Sequence, residues 1–317
     1  MRVLVALSVL ASAEAVLRVY HQHTLRQTLP VEVRQETRAL TWDDIRNQYR
    51  IVCLGDSNTY GEDLAFAQAY PAVLAQLIAH NHPALDAVVI NSGMRGHTAV
   101  QGLARLERDV LWYRPQAVVV AFGLNDARLG HWPLDPLRER EVCGDSSLSG
   151  RIEPLLRHSH LWLTLRARLR RVLRGLGYAW SSGVPAGPAA PRVSAHGFRS
   201  ALRQIITRIQ KTGAAVWVLT TTPVSEAAVF ESEDVDQQQQ LALHAEYNQI
   251  IRQVSADCGA HLLDVHAALT ESATADLKTL LAADRVHLSA SGERWLAEHI
   301  LQALENASLL GKRAAGS

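Results

Sequence analysis

The sequence is poor in the residues that mark several protein classes. It has three cysteines in 317 residues, Cys53, Cys143 and Cys258, odd in number and widely spaced. That is neither a disulfide framework nor a zinc-binding spacing. The 14 histidines are scattered, with no HExxH and no His/Cys cluster at ligand spacing, so no metal is expected. Charge of one sign is lacking as well. The 32 basic and 31 acidic residues leave a net charge of +1, which gives no general reason to expect nucleic acid as a partner. Lysine is confined to Lys211, Lys278 and Lys312, and arginine supplies the other basic residues. What remains is a folded-domain composition, 48% hydrophobic and 20% charged. The length suits one large domain or two small ones.

A long apolar run is also missing at the N-terminus. The stretch from Val3 to Leu17 is broken by Glu14 and falls short of the roughly 20 apolar residues of a membrane span. With Arg2 before it and Ala11-Ser12-Ala13 inside it, the stretch has the parts of a signal peptide. A cleaved signal, an anchor tucked into one leaflet and an ordinary amphipathic helix stay open. Export or anchoring is favoured: residues 1–20 are expected to be a signal peptide or short membrane anchor. The protein is then periplasmic, secreted or membrane-tethered, with membrane association through this segment. Residues 21–49 read as a connecting segment.

From residue 50 onward, strand-like and helix-like periodicities alternate. Ile51-Val52-Cys53-Leu54 is a continuous apolar run closed by Gly55, as a buried parallel strand should be. A helix is expected over Tyr70 to His80, with Val73, Leu74, Leu77 and Ile78 on one face. Val88 to Ile90 reads as a strand, Val100 to Trp112 as a helix and Ala117 to Phe122 as a strand. Ala215 to Thr220 and His261 to Val265 read as strands. Gln237 to Ala256 and Gly292 to Leu304 read as helices. This order implies right-handed crossovers and a parallel sheet covered on both faces. The expected fold is therefore α/β: a flavodoxin-like three-layer α/β/α arrangement with a five-stranded parallel sheet and a helical insertion.

The insertion spans about residues 127–195. Arg151 to Arg174 holds seven arginines and one acid, Glu153, and Leu161, Leu165, Leu169, Val172 and Leu173 can share a helical face. An amphipathic surface helix and a basic flap over an anionic substrate or membrane both fit. Gly183 to Pro191 closes the insertion as a helix-free linker.

Ligands of open α/β sheets bind outside the carboxyl ends of the strands. Three segments follow such ends, Gly55-Asp56-Ser57-Asn58, Asn91-Ser92-Gly93-Met94-Arg95-Gly96 and Gly123-Leu124-Asn125-Asp126, and a fourth, Asp284-Arg285-Val286-His287, stands just before the last helix. Singly, each has a structural explanation: Ser57 as a helix cap, Gly96 as a turn, Asn125 as a loop amide, His287 as a surface histidine. Jointly they supply a nucleophile, a base, an acid to orient the base, and oxyanion donors. A second Asp/His pair, Asp264 and His266, follows the last strand. Extended geometry there would hold the two side chains too straight to meet.

The four segments resemble the blocks of the SGNH (GDSL-type) hydrolases, nearest to their bacterial thioesterase/lysophospholipase branch. The first block reads GDSNTYG, with Asn58 where many members have Leu. The stretch through Gly102-Leu103-Ala104-Arg105-Leu106 to Gly123-Leu124-Asn125-Asp126, and the DxxH of Asp284 and His287, continue the match. The resemblance implies a hydrolase domain over residues 50–305, followed by a flexible tail, 306–317. It implies Ser57 as nucleophile, His287 as general base and Asp284 as its orienting acid. The oxyanion hole would be the backbone N–H groups of Ser57 and Gly96 and the amide of Asn125, with Gly93 competing for the place of Gly96. Asp56 is expected to hold the loop. The implied reaction is hydrolysis of a carboxylic ester or thioester, without cofactor or metal, on a small-molecule, lipid or acylated-glycan substrate. Two alternatives stay open: an O-acyltransferase acting on a cell-envelope polysaccharide with the same residues, and a non-enzymatic flavodoxin-like binding module. The absence of GxGxxG and the presence of the DxxH segment argue against the second.

Overall fold

The computed structural model describes residues 42–130, 189–224, 236–271 and 274–310. The expectations for the N-terminal segment, the arginine-rich stretch and residues 311–317 lie outside the described residues. The strands are β1 (Tyr49–Gly55), β2 (Ala87–Gly93), β3 (Ala117–Ala121), β4 (Leu129–Gly130), β5 (Ala190–Pro191), β6 (Ala215–Leu219) and β7 (His261–Leu263). The helices are α1 (Trp42–Ile45), α2 (Ser57–Tyr60), α3 (Tyr70–Asn81), α4 (Ala99–Asp109), α5 (Ala195–Gln210), α6 (Gln237–Asp257), α7 (Val265–Glu271), α8 (Thr274–Leu280) and α9 (Ala290–Asn306).

Five strands form one parallel sheet in the order β2-β1-β3-β6-β7, the flavodoxin-like order expected from the sequence. Every residue of β1 is buried, which explains why it reads as an unbroken apolar run. Ile51 and Cys53 share a core with Tyr70 and Leu74 of α3 and with Leu296 and Ile300 of α9. Val52 and Leu54 alternate to the other face and are equally buried. On that face α4 packs on α5, and α5 on α6.

The register places the active loops. Gly55 pairs with Gly93 on one side and Ala121 on the other, so three strands end level and their following loops converge. Gly93 must be glycine: a Cβ there would lie 2.2 Å from the Tyr60 nitrogen. Beyond β3 the chain leaves at Gly130 and returns at Ala190 through an antiparallel pair, Leu129 with Pro191 and Gly130 with Ala190.

Two boundaries differ from expectation for a local physical reason. The helix expected to reach Trp112 ends at Asp109. A 3₁₀ turn, Leu111–Tyr113, follows and closes on Arg114 at φ 45°, just before Pro115, which disfavours helical backbone in the residue ahead of it. The last strand stops at Leu263, and Val265 opens α7, because the Asp264 carboxylate accepts the Ala267 N–H at 3.1 Å and so starts a helix. No sequence pattern delimits helix α5 at the end of the insertion. Its cap is Ser194, whose hydroxyl accepts the Gly197 N–H at 3.1 Å.

Helix α3 follows Ala69, which has no side chain that can cap. Glu293 of α9 caps it instead: Oε2 accepts the Tyr70 N–H at 2.6 Å. Glu293 is 1% exposed, and burial pushes its carboxyl up to about 8, against a pull downward from the Tyr70 N–H. The folded value lies above the ordinary 4.5, so the folded state binds the extra proton. The stabilisation is full below about pH 4.5 and is lost as pH rises through about 8. Asp56 and Asp126, pushed up to about 6 and about 7 by burial, act in the same direction. Glu293→Gln keeps an acceptor and removes the titration. Urea midpoints measured from pH 5 to 9 are expected to fall less steeply for this variant than for the natural protein. Parallel curves would contradict the buried-acid account.

Candidate active site

Ser57 is the first residue of α2, directly beyond β1. Asp56 caps this helix, its Oδ1 accepting the Asn58 N–H at 3.0 Å. The capping role open to Ser57 thus falls to Asp56, in keeping with the loop-holding role expected of it. Ser57 Oγ instead lies 2.8 Å from His287 Nε2. On its other side, His287 Nδ1 lies 2.5 Å from Asp284 Oδ2. A carboxylate only accepts, so Nδ1 carries the proton and Nε2 is left to accept from the serine hydroxyl.

The loop bearing Asp284 and His287 is fixed from several directions. Asp284 Oδ1 accepts the N–H groups of Val286 and His287, each at 3.0 Å. Thr222, just beyond β6, donates its hydroxyl to the Val286 carbonyl at 3.0 Å. Asn58 Oδ1 accepts the Leu288 N–H at 3.2 Å, tying the nucleophile helix to the histidine loop. Burial pushes the Asp284 carboxyl up, but the hydrogen bonds from His287 and the two backbone N–H groups outweigh it, so it titrates below the ordinary carboxylate range. It is therefore charged at neutral pH and suited to face an imidazolium.

Ser57, Gly96, Asn125 and His287 line one cleft of about 520 Å³. Gly96 sits at φ +69°, with nothing within 4 Å of where a Cβ would be. The competing Gly93 lies inside β2, and its N–H is donated to Asn91 Oδ1 at 2.9 Å. Asn125 donates from Nδ2 to the His97 carbonyl at 3.2 Å and to Asp56 Oδ2 at 3.4 Å. Both bonds are long, so the amide is oriented without being tightly engaged.

The second Asp/His pair is placed differently from expectation. It starts a helix, not a strand extension. Asp264 is held by Arg252 through two bonds of 2.7 and 3.1 Å, and it accepts the Thr220 hydroxyl at 2.9 Å. Burial raises its carboxyl, but Arg252 and the helix N–H hold it below its ordinary value. Neither Asp264 nor His266 lines the cleft that holds Ser57.

Several ties near the site carry no local sequence signal: those of Asn58 and Thr222, and that of the buried Asp126, whose Oδ1 accepts the Ala99 N–H at 2.9 Å. Among the described residues, no group of three His, Cys, Asp or Glu could hold a metal ion, and no helix is long and apolar enough to cross a membrane.

A hydroxyl, an imidazole and a carboxylate thus stand in series beside the carboxyl ends of a five-stranded parallel sheet in an α/β/α fold. The chain belongs to the GDSL-like lipase/acylhydrolase family, whose model matches residues 53–295. A stretch of 85 residues is 32% identical to an arylesterase from Vibrio mimicus. It covers 26% of this chain and 41% of that protein, so less than half of the relative's length is matched. The fold is similar to a lipase/acylhydrolase from Enterococcus faecalis, with a TM-score of 0.52 at 21% identity, over 82% of this chain and 97% of that one. It is also similar to the acetyl xylan esterase AlAXEase, with a TM-score of 0.52 at 19% identity, over 80% and 99%.

Proposed function

We propose that the protein hydrolyses carboxylic esters through an acyl-enzyme on Ser57. The observation that carries this reading is the unbroken series from Asp284 through His287 to Ser57, at 2.5 and 2.8 Å. His287 Nε2 takes the hydroxyl proton as Ser57 Oγ attacks the ester carbonyl. Asp284 holds the ring in the tautomer that can accept and stabilises the imidazolium that forms. The tetrahedral oxyanion is met by the Ser57 and Gly96 N–H groups and the Asn125 amide. His287 then gives its proton to the departing alcohol oxygen. In the second half a water replaces the alcohol and attacks the acyl-enzyme, passing its proton to His287, which returns it to Ser57 Oγ as the acid leaves.

The cleft supports a short acyl group on a polar alcohol. Among its described lining residues only Leu124 and Val286 carry apolar side chains, while Glu62, Arg95 and Arg128 bring charge to its walls. Esters that share an acyl group but differ in alcohol pass through one common acyl-enzyme. Where deacylation limits the rate, their kcat values are expected to converge; values that follow leaving-group ability throughout, with no burst of alcohol, would argue against the intermediate. Acyl chains beyond a few carbons are expected to lose kcat/KM.

Asn125→Ala is expected to lower kcat by about 10²–10³, the loss for one oxyanion donor. KM should change little, because the bond matters mainly in the transition state. A variant that raised only KM would place Asn125 in ground-state binding.

A further inference from the structure

Arg105 lies on α4 and is 6% exposed, an unusual place for a guanidinium. Its fork does not point at the cleft. Nη2 donates to the Gly55 carbonyl at 2.8 Å, and Nη1 donates to the Ser92 carbonyl, also at 2.8 Å. Asp109, one turn further along α4, accepts from Nη1 at 3.1 Å and supplies the balancing charge. Asp109 is itself fastened to the same strand end, its carbonyl accepting the Ser92 hydroxyl at 2.8 Å.

The two carbonyls are not arbitrary. Gly55 and Ser92 belong to the last paired positions of β1 and β2, where Leu54 faces Ser92 and Gly55 faces Gly93. Gly55 lies two residues before Ser57, and Ser92 four residues before Gly96. The Gly55 carbonyl also accepts the Met94 N–H at 3.1 Å, so both of its lone pairs are used at the point where the two loops part. A planar guanidinium can hold two acceptors on adjacent strands at a fixed spacing, whereas an ammonium acts as a point charge.

We propose that Arg105 is a positioning residue for the oxyanion hole, setting the spacing between the Ser57 loop and the Gly96 loop by bridging the strand ends from which they leave. This rests on the reading of Ser57 and Gly96 as oxyanion donors. Donors on separate loops must converge on one oxygen within hydrogen-bond distance, and a misplacement near 1 Å costs about 10²-fold in rate. The family resemblance touches Arg105 only as one letter of a helix, and nothing in the helical pattern assigns it this task.

The test uses the full chain with Arg105→Met and Arg105→Lys. Active sites are counted by titration with a fluorophosphonate, folding is followed by thermal unfolding, and the oxyanion hole is probed with an alkyl boronic acid, whose tetrahedral adduct on Ser57 places an oxygen there. Per titrated site, Arg105→Met is expected to lose about 10- to 100-fold in kcat. KM should stay within about threefold, and the boronate inhibition constant should rise by the same factor as kcat falls. Arg105→Lys, able to serve one carbonyl, should fall between. A merely structural role gives a lower melting temperature and fewer titratable sites, with kcat and boronate affinity per site unchanged; that result overturns the proposal. If Arg105→Met does not fold, unchanged per-site values in Arg105→Lys overturn it equally. Failure of the Ser57 reading would show earlier and separately, as a natural protein that neither titrates nor binds the boronate.

Discussion

Ser57→Ala is expected to abolish turnover, lowering kcat by about 10⁶-fold, as loss of a serine nucleophile does in a triad. The size follows from the chemistry. Without Oγ there is no acyl-enzyme, and His287 has no hydroxyl to deprotonate. What remains is binding and an oxyanion hole around water, which still gives some rate over solution. The fold should survive. Ser57 does not cap α2, since Asp56 does, and its hydroxyl hydrogen-bonds His287. Thermal unfolding close to that of the natural protein, together with loss of ester hydrolysis, is the expected pair of results. Turnover within tenfold of the natural protein would exclude Ser57 as the nucleophile.

His287→Ala is expected to cost nearly as much, because triad members act as a unit, whereas His266→Ala should keep most of the activity. His287 bridges Asp284 and Ser57. His266 lies on α7, and its partner by sequence, Asp264, is engaged by Arg252 and Thr220. Activity of the natural protein should fall toward acid pH, where an imidazolium can no longer accept the serine proton. Asp284, charged well into the acid range, should not add a limb near neutrality. An inactive His266→Ala beside an active His287→Ala would reverse the assignment of base and acid while leaving the Ser57 reading in place.

The sheet was legible because buried parallel strands leave a strong mark: Ile51 to Leu54 and Ala117 to Phe122 are continuous apolar runs closed by glycine. The site was legible for a related reason. Level strand ends bring together the segments that follow them, so Ser57, Gly96 and Asn125 could be sought at strand ends before any distance was known. The boundaries at Asp264 and Asp109 were less legible, because one carboxylate cap or one X-Pro step overrides an apolar pattern that would otherwise continue. Glu293 shows a different conflict. Its spacing to Leu296, Ala297, Ile300 and Leu304 places it on the buried stripe of α9, while its charge argues for solvent; the structure follows the spacing. Arg105 repeats this on α4, where it is buried beside Gly102 and Leu106. Buried polar side chains of this kind take backbone partners far away in sequence, Tyr70 for Glu293 and Gly55 for Arg105, and no local pattern encodes those partners.

The central claim is that one serine, in the turn after the first strand, carries the acyl group. The measurement that meets it most directly is to treat the natural protein with a fluorophosphonate, digest it and locate the adduct by peptide mass spectrometry. The account predicts a single stoichiometric adduct on Ser57, formed far more slowly in His287→Ala and not at all in Ser57→Ala. An adduct on another residue, or active protein that takes up no label while it hydrolyses esters, would contradict it.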